Sequence, residues 1–190
     1  MSLGAWIGAG LLGVAAWLGF AKSAQAAAPA GDLPPSDPVV QDSAPVAAGP
    51  LAYLAIVRQL NDELYGGFFD PALVMGVMQQ ESAFNPMAYR YEASRGEASY
   101  GLMQLLYSTA RDRGFSGDPA GLYDPATNIA LGMAQLKWSF DYLASRLGTV
   151  TEAQWLSSYN AGVGYVLRGG NRYGYVASVQ SYRDAWRGVA

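Results

Sequence analysis

Residues 77–86 read VMQQESAFNP and place one carboxylate, Glu81, at the end of an apolar helical pattern. Asp70 is a favourable N-cap and Pro71 fits the first helical position, so the pattern predicts a helix from Pro71 to just before Pro86. Glu81 then lies in its last turn. A carboxyl group on the inner side of such a helix loses hydration, which raises its pKa and keeps it protonated near neutral pH. The stretch therefore suits a proton donor, although for a single residue a solvent-exposed glutamate is commoner.

The composition limits the chemistry open to this 190-residue chain, whose length favours one folded domain. It has 12 basic and 15 acidic residues and a formal net charge of −3, which argues against nucleic-acid binding. It contains no Cys and no His. Their absence excludes disulfides, Cys/His metal sites and nucleophile systems built on Cys or Ser-His. We expect no metal and no cofactor, and catalysis would use carboxylates, Tyr, Lys or Ser.

Residues 1–22 contain an uncharged segment, Leu3–Ala21, that is long enough as a helix to cross a bilayer core. Lys22 follows this segment and no Lys or Arg precedes it, which favours an uncleaved membrane anchor. Ala24 and Ala26 fit a small-x-small cleavage site, which favours a secretory signal instead. A buried helix in a soluble domain is a third alternative. The anchor is preferred, and the question stays open.

Residues 23–50 are rich in Ala and Pro with scattered acidic residues. Such a segment buries too little apolar surface to fold, so we predict a disordered linker. Residues 51–190 instead show apolar residues at helical spacing between capping signals. They are predicted to form a single catalytic domain behind the linker.

The predicted fold class of this domain is all-α. Asp124 is expected to cap a helix that ends at Gly148, and Thr151 to cap another that ends at Gly162. No run of alternating residues is long enough to require a sheet. The helices follow one another with short polar connections.

Four short motifs follow one another along the chain. They are ESAFNP at 81–86, YGLMQL at 100–105, YDPATNIALGMAQL at 123–136 and SSYNAG at 157–162. Taken singly, GLMQ is typical of a helix core and YNAG of a helix end. In this order they resemble the soluble lytic transglycosylase family, and the similarity extends to YGYVASV at 173–179.

The resemblance implies a lysozyme-like (transglycosylase) domain that cleaves the β-1,4 bond between N-acetylmuramic acid and N-acetylglucosamine in peptidoglycan. Glu81 matches the family's catalytic acid. It would protonate the leaving oxygen and then, as a base, accept the proton of the muramic C6 hydroxyl, which closes a 1,6-anhydro ring. This intramolecular nucleophile makes a second catalytic carboxylate unnecessary, whereas paired-carboxylate glycosidases need two.

The resemblance also assigns substrate-binding positions near the acid. Ser82 would fix the helix end beside Glu81, although a purely structural role is equally expected. Met103 and Gln104 match the motif whose side chains line the sugar cleft, and Gly101 would allow the backbone to approach closely.

Three later residues complete the expected site. Tyr159 and Asn160 match the pair that faces the acid and an acetamido group of the substrate. Tyr175 matches a late aromatic residue near the acid, with core packing as the alternative. Hydroxyl and amide groups are the donors and acceptors that orient a neutral sugar.

The sequence departs from the family pattern in places. The connection over residues 86–101 is longer and more polar than the expected compact link, so the cleft wall there is expected to differ. Its acidic residues, Glu92 and Glu97, are expected on a solvated loop, with an approach to the cleft as the alternative for each. Ser158 stands where the family often has Ala, and residues 171–172 replace a commonly acidic segment.

Three functions remain in competition at this point. The preferred one is a membrane-anchored lytic transglycosylase that opens or remodels the cell wall locally, in a bacterial envelope or during phage entry. A hydrolytic muramidase on the same fold would use water in place of the C6 hydroxyl. A non-catalytic envelope or virion protein is the third, and the retained Glu81 argues against it.

The preferred function implies particular partners and a location. The partners are peptidoglycan glycan strands, the membrane through the N-terminal helix, and a secretion machine or virion. The protein would face the peptidoglycan from the periplasmic membrane or a virion membrane. It would be secreted to the periplasm if the N-terminus is cleaved.

Overall fold

A computed structural model describes residues 49–190. The predicted anchor or signal segment, and nearly all of the predicted linker, lie outside these residues. Within residues 49–190, the helices are too short or too polar to meet the requirements of a membrane span.

Seven α-helices and one 3₁₀ helix make up most of the described chain. They are α1 (Pro50–Tyr65), α2 (Pro71–Ser82), α3 (Tyr107–Asp112), the 3₁₀ helix (Pro119–Tyr123), α4 (Pro125–Leu147), α5 (Glu152–Ala161), α6 (Val163–Leu167) and α7 (Tyr173–Trp186). The predicted caps are present. The Asp70 side chain accepts a hydrogen bond from Ala72 N, Asp124 accepts one from Thr127 N, and Thr151 forms a capping box. The predicted helical, lysozyme-like domain is confirmed in its main features.

A small antiparallel sheet was not predicted. It consists of β1 (Tyr89–Glu92), β2 (Glu97–Tyr100) and β3 (Leu105–Leu106), in the order β1-β2-β3. The polar connection is therefore a β-hairpin rather than a solvated loop, with Glu92 paired to Glu97 next to the turn. Strands of two to four residues are too short to give a readable alternation, and β1 is exposed along most of its length. For these two reasons the sequence pattern did not predict the sheet.

Helix α2 forms the centre of the core, and residues 72–78 are all buried. Gly76 allows α7 to pack directly against it. A Cβ atom at Gly76 would lie 2.7 Å from Val179 O and 3.0 Å from Arg183 N, distances that a larger residue does not tolerate. Arg183 in turn bonds both carboxylate oxygens of Glu152 at 2.7 Å, which ties α7 to the start of α5. The C-terminal end of α2 is thereby fixed between α7 and α5.

The loop before α2 is also fixed by a buried polar contact. The Asn61 side chain donates to Phe69 O and accepts from Phe69 N, both at 2.9 Å. An amide that satisfies both backbone groups of one residue acts like a strand partner. This contact fixes the backbone immediately before the Asp70 cap of α2.

Candidate active site

Glu81 lies in the last turn of α2, as the sequence predicts. The chain leaves the helix through Ala83 and Phe84, which have φ values of 50° and 62°. Two consecutive left-handed non-glycine residues are uncommon and turn the backbone sharply. The turn leaves the Glu81 side chain half-buried at the bottom of a cleft.

The carboxyl group of Glu81 is held by Tyr175 of α7. The Tyr175 hydroxyl donates a hydrogen bond of 2.7 Å to Glu81 Oε1. Burial raises the pKa of Glu81 from 4.5 to about 6, and this outweighs the lowering by the Tyr175 bond and by the charge of Arg90. Because Oε1 accepts from Tyr175, the acidic proton is directed to Oε2. Glu81 thus combines a raised pKa with a fixed orientation, which is what a general acid requires.

Tyr159 of α5 lies close to the same carboxyl group. Its hydroxyl donates a 2.8 Å hydrogen bond to Met103 O, which joins α5 to the turn before β3. Burial first, and then the charge of Glu81, raise the pKa of Tyr159 well above its usual value. Tyr159 therefore stays a neutral hydroxyl, as does Tyr175, whose pKa is raised in the same way.

The turn of residues 101–104 is packed too tightly for a side chain at its first position. Gly101 has φ of 73°, and a Cβ there would lie 2.4 Å from Asn128 Nδ2 and 2.5 Å from Leu122 O. Asn128 is fully buried and holds the turn in place. It accepts from Met103 N at 2.8 Å and donates to Tyr100 O and Leu122 O at 2.9 and 2.8 Å.

Gln104 lines the cleft, and its amide is occupied by the protein itself. Nε2 donates to Gly101 O at 3.0 Å and to Ala88 O at 3.2 Å, while Oε1 accepts from Ser99 Oγ at 3.1 Å. Its backbone φ of 46° is left-handed. These bonds join the hairpin to the turn. Gln104 therefore stabilises the cleft wall and also lines the cleft.

Ser82 connects α2 to the same turn. Its hydroxyl lies 2.8 Å from Leu102 O and 3.2 Å from Met78 O, and the shorter contact crosses from α2 to residues 101–104. The side chain is thus used within the protein, next to Glu81.

Met103 corrects one expectation. Its side chain is 0 % exposed and packs against α4, where a Cβ on Gly132 would meet Met103 Sδ. The side chain therefore belongs to the core and does not line the cleft. Only the backbone carbonyl of Met103 reaches toward the site, as the acceptor for Tyr159.

The cleft brings together four of the residues selected from the sequence, Glu81, Gln104 and the Tyr159–Asn160 pair of α5. It also contains residues that were not selected. These are Arg90, Glu92, Arg95, Ser99, Leu105, Leu106, Thr109, Gln135, Ser158 and Gly162. Leu105, Gln135, Ser158 and Gly162 belong to the quoted motifs, which is a usable signal. For the hairpin, the sequence indicates only that the polar connection alters the cleft wall and that Glu92 is able to approach it.

The two hairpin acids have different surroundings. Glu92 lies in the cleft wall and accepts a 2.6 Å bond from Arg90 Nε. Glu97 instead accepts from Ser108 N at 3.0 Å and Ser108 Oγ at 2.7 Å, at the start of α3. Among residues 49–190, no group of three or more acidic side chains is arranged to hold a metal ion.

The chain is similar in sequence to known proteins. Residues 65–178 match the model of the transglycosylase SLT domain. The chain is similar to membrane-bound lytic murein transglycosylase C of Mannheimia succiniciproducens, with 41% identity over 126 residues, 61% of this chain and 33% of the relative. The chain thus spans about a third of the length of that relative.

Solved structures resemble the described fold. The 70-kDa soluble lytic transglycosylase in complex with bulgecin A is 24% identical, with a TM-score of 0.50 over 71% of this chain and 22% of that one. The 70-kDa soluble lytic transglycosylase of Escherichia coli also aligns, with 24% identity and a TM-score of 0.49 over the same shares. The first of these supports the lysozyme-like fold.

Proposed function

We propose, because this chain belongs to the transglycosylase SLT domain family, that it cleaves the glycan strands of peptidoglycan as a lytic transglycosylase. The observation that carries the proposal is the 2.7 Å bond from Tyr175 to a half-buried Glu81 whose pKa is raised to about 6. A carboxyl group in this state is a competent proton donor, and hydroxyl, amide and guanidinium groups line much of the surrounding cleft.

The proposed reaction uses Glu81 twice. Protonated Glu81 first gives its proton to the glycosidic oxygen as the bond from that oxygen to muramic C1 breaks. The resulting carboxylate then takes the proton of the C6 hydroxyl, whose oxygen bonds to C1 and closes the 1,6-anhydro ring. Glu81 ends protonated, and neither water nor a second carboxylate is consumed.

The neighbouring residues have positioning roles in this proposal. Tyr175 holds Oε1 so that Oε2 presents the proton. Tyr159 is fixed by Met103 O and keeps a neutral hydroxyl beside the acid. Asn160 is exposed in the cleft, where its amide suits an acetamido group. Ser82 and Gly101 maintain the backbone that surrounds the acid.

The proposal extends to the remainder of the chain. The printed name of the Mannheimia relative calls it membrane-bound. We take residues 1–22 as an anchor or signal and 23–50 as a linker that places domain 51–190 against the wall from a periplasmic or virion membrane. Secretion-machine or virion proteins are the proposed protein partners.

One observation favours hydrolysis as the alternative. Glu92 lies in the same cleft as Glu81, and a second carboxylate that activates water would make the enzyme a hydrolytic muramidase. Its 2.6 Å ion pair with Arg90 argues against this, because the carboxylate is already engaged within the hairpin.

Product analysis on purified peptidoglycan tests the proposal. We expect anhydro-muramic ends from the parent and from Glu92→Gln, and a loss of activity of about 10³-fold or more in Glu81→Gln, which keeps the shape but has no proton to donate. Reducing muramic ends that vanish in Glu92→Gln would establish hydrolysis. Activity of Glu81→Gln close to that of the parent would refute both mechanisms.

A further inference from the structure

The β-hairpin has two chemically different faces. Tyr89 and Tyr91 point to one face of β1, and Arg90 and Glu92 point to the other because side chains alternate along a strand. The second face is part of the cleft wall. The hairpin therefore carries charged groups into a cleft whose helical side is mostly neutral.

The turn at the hairpin tip is fixed by its backbone. Arg95 N and Gly96 N both donate to Glu92 O, at 2.8 and 3.0 Å, and Gly96 has a left-handed φ of 67° that closes the turn. Arg95 is exposed at this tip and is one of the residues that line the same cleft as Glu81.

The charges of the wall do not cancel. Arg90 is bound to Glu92 at 2.6 Å. Arg95 forms no ion pair with any residue in the range 49–190. Besides Glu92, the described cleft residues include one other acid, Glu81, which forms no ion pair with Arg95. On a chain of net charge −3, the unpaired Arg95 is therefore a local positive group rather than part of a general positive surface.

We propose that Arg95 binds a carboxylate carried by the muramoyl substituent of the substrate, and so selects glycan strands by their side groups. This rests on the proposed function. The planar guanidinium forms paired hydrogen bonds with a carboxylate, and a sugar backbone itself carries no charge to engage it. The carboxylate belongs either to the peptide stem or, on a peptide-free residue, to the lactyl group.

Kinetics on three preparations of the same strands test this inference: peptide-bearing, peptide-bearing with carboxylates amidated, and peptide-free. For Arg95→Gln we expect kcat/KM on peptide-bearing strands to fall about fivefold, mainly through KM, as for an ion pair at a partly exposed site. On amidated strands the parent and the variant should be equal. Arg95→Lys should recover part of the loss, and the difference should shrink in high salt.

The controls separate this inference from the proposed function. Arg146→Gln removes an exposed cation at the far end of α4, which does not line the cleft, and should behave as the parent. A parent that is inactive on all three preparations would overturn the proposed function. An active parent with an equal Arg95→Gln loss on amidated strands would overturn the inference alone. If kcat/KM of Arg95→Gln falls only on peptide-bearing strands, the stem carboxylate is the ligand. If it also falls on peptide-free strands, the lactyl group is bound as well.

Discussion

The two sides of the cleft are built differently. The helical side consists of α2, α5 and α7, where Glu81, Tyr159 and Tyr175 stand on elements joined by buried contacts such as the Gly76 approach. The opposite side is a short hairpin whose first strand is largely exposed and carries an ion pair. The proposed function and the Arg95 inference place proton transfer on the side built of packed helices, which we expect to be rigid, and substrate selection on the exposed hairpin, which we expect to be adaptable.

The largest effect is expected where the two sides meet. Asn128→Ala leaves Met103 N, Tyr100 O and Leu122 O without their partner, which should cost about 3–4 kcal/mol of unfolding free energy. Activity should fall as well, because Met103 O then no longer holds Tyr159 in place. Denaturant unfolding measures the change, with Thr127→Ala on the same helix as control. A cost below about 1 kcal/mol would show that the turn holds itself together without Asn128.

Stability against pH tests the burial of Glu81. Its pKa is 4.5 when unfolded and about 6 when folded, so the folded state binds the proton more tightly. The contribution of the protonated Glu81 to the unfolding free energy is present below pH 4.5 and is lost as pH rises through 6. The unfolding free energy then falls by about 2 kcal/mol. Glu81→Gln does not titrate and should therefore be the more stable protein at pH 7.5, with little difference at pH 4.

Denaturant unfolding at several pH values provides that measurement. The chain has no His, which removes the side chain that most often titrates in this window. A difference between Glu81→Gln and the parent that does not change from pH 4 to 7.5 would show that Glu81 is hydrated in the folded state.

Much of the helical side was predictable from the sequence. Asp70 with Pro71 predicts the start of α2, because capping signals act within one or two helical turns and do not depend on the tertiary fold. The position of Glu81 beside Tyr159 and Tyr175, which lie far along the chain, is implied only by the resemblance to the transglycosylase family.

The hairpin side was not predictable in the same way. Its strands are held together by backbone pairing, and their side chains are polar on one face, so they show no apolar pattern. The position of Arg95 in the cleft depends on the turn at Gly96. The error at Met103 has a related cause. The motif gives the residue but not whether its side chain or its carbonyl faces the site, because this is decided by the left-handed turn at Gly101 and by Gly132 of α4.

An intermediate effect is expected for Tyr175→Phe, which removes the hydrogen bond to Glu81 and keeps the ring. We expect kcat to fall about tenfold because the carboxyl group loses its orientation. The bond lowers the pKa of Glu81, so its loss raises that pKa further. The alkaline limb of the pH–rate profile should therefore move to higher pH. A tenfold loss without this movement would mean that Tyr175 only packs beside the acid. Tyr173→Phe, at an exposed position on the same helix, is the control.

The smallest effect is expected on the hairpin, outside the cleft. Glu97 accepts two hydrogen bonds from Ser108 at the start of α3, and a negative charge is favourable at a helix N-terminus. Glu97→Gln keeps one acceptor and loses the charge, so the unfolding free energy should fall by about 0.5 kcal/mol with activity within twofold of the parent. Glu63→Gln on α1 is the matched exposed control. If Glu97→Gln instead costs 2 kcal/mol or more, the hairpin is as firmly built into the core as α2 and α7, and the division between a rigid and an adaptable side of the cleft fails.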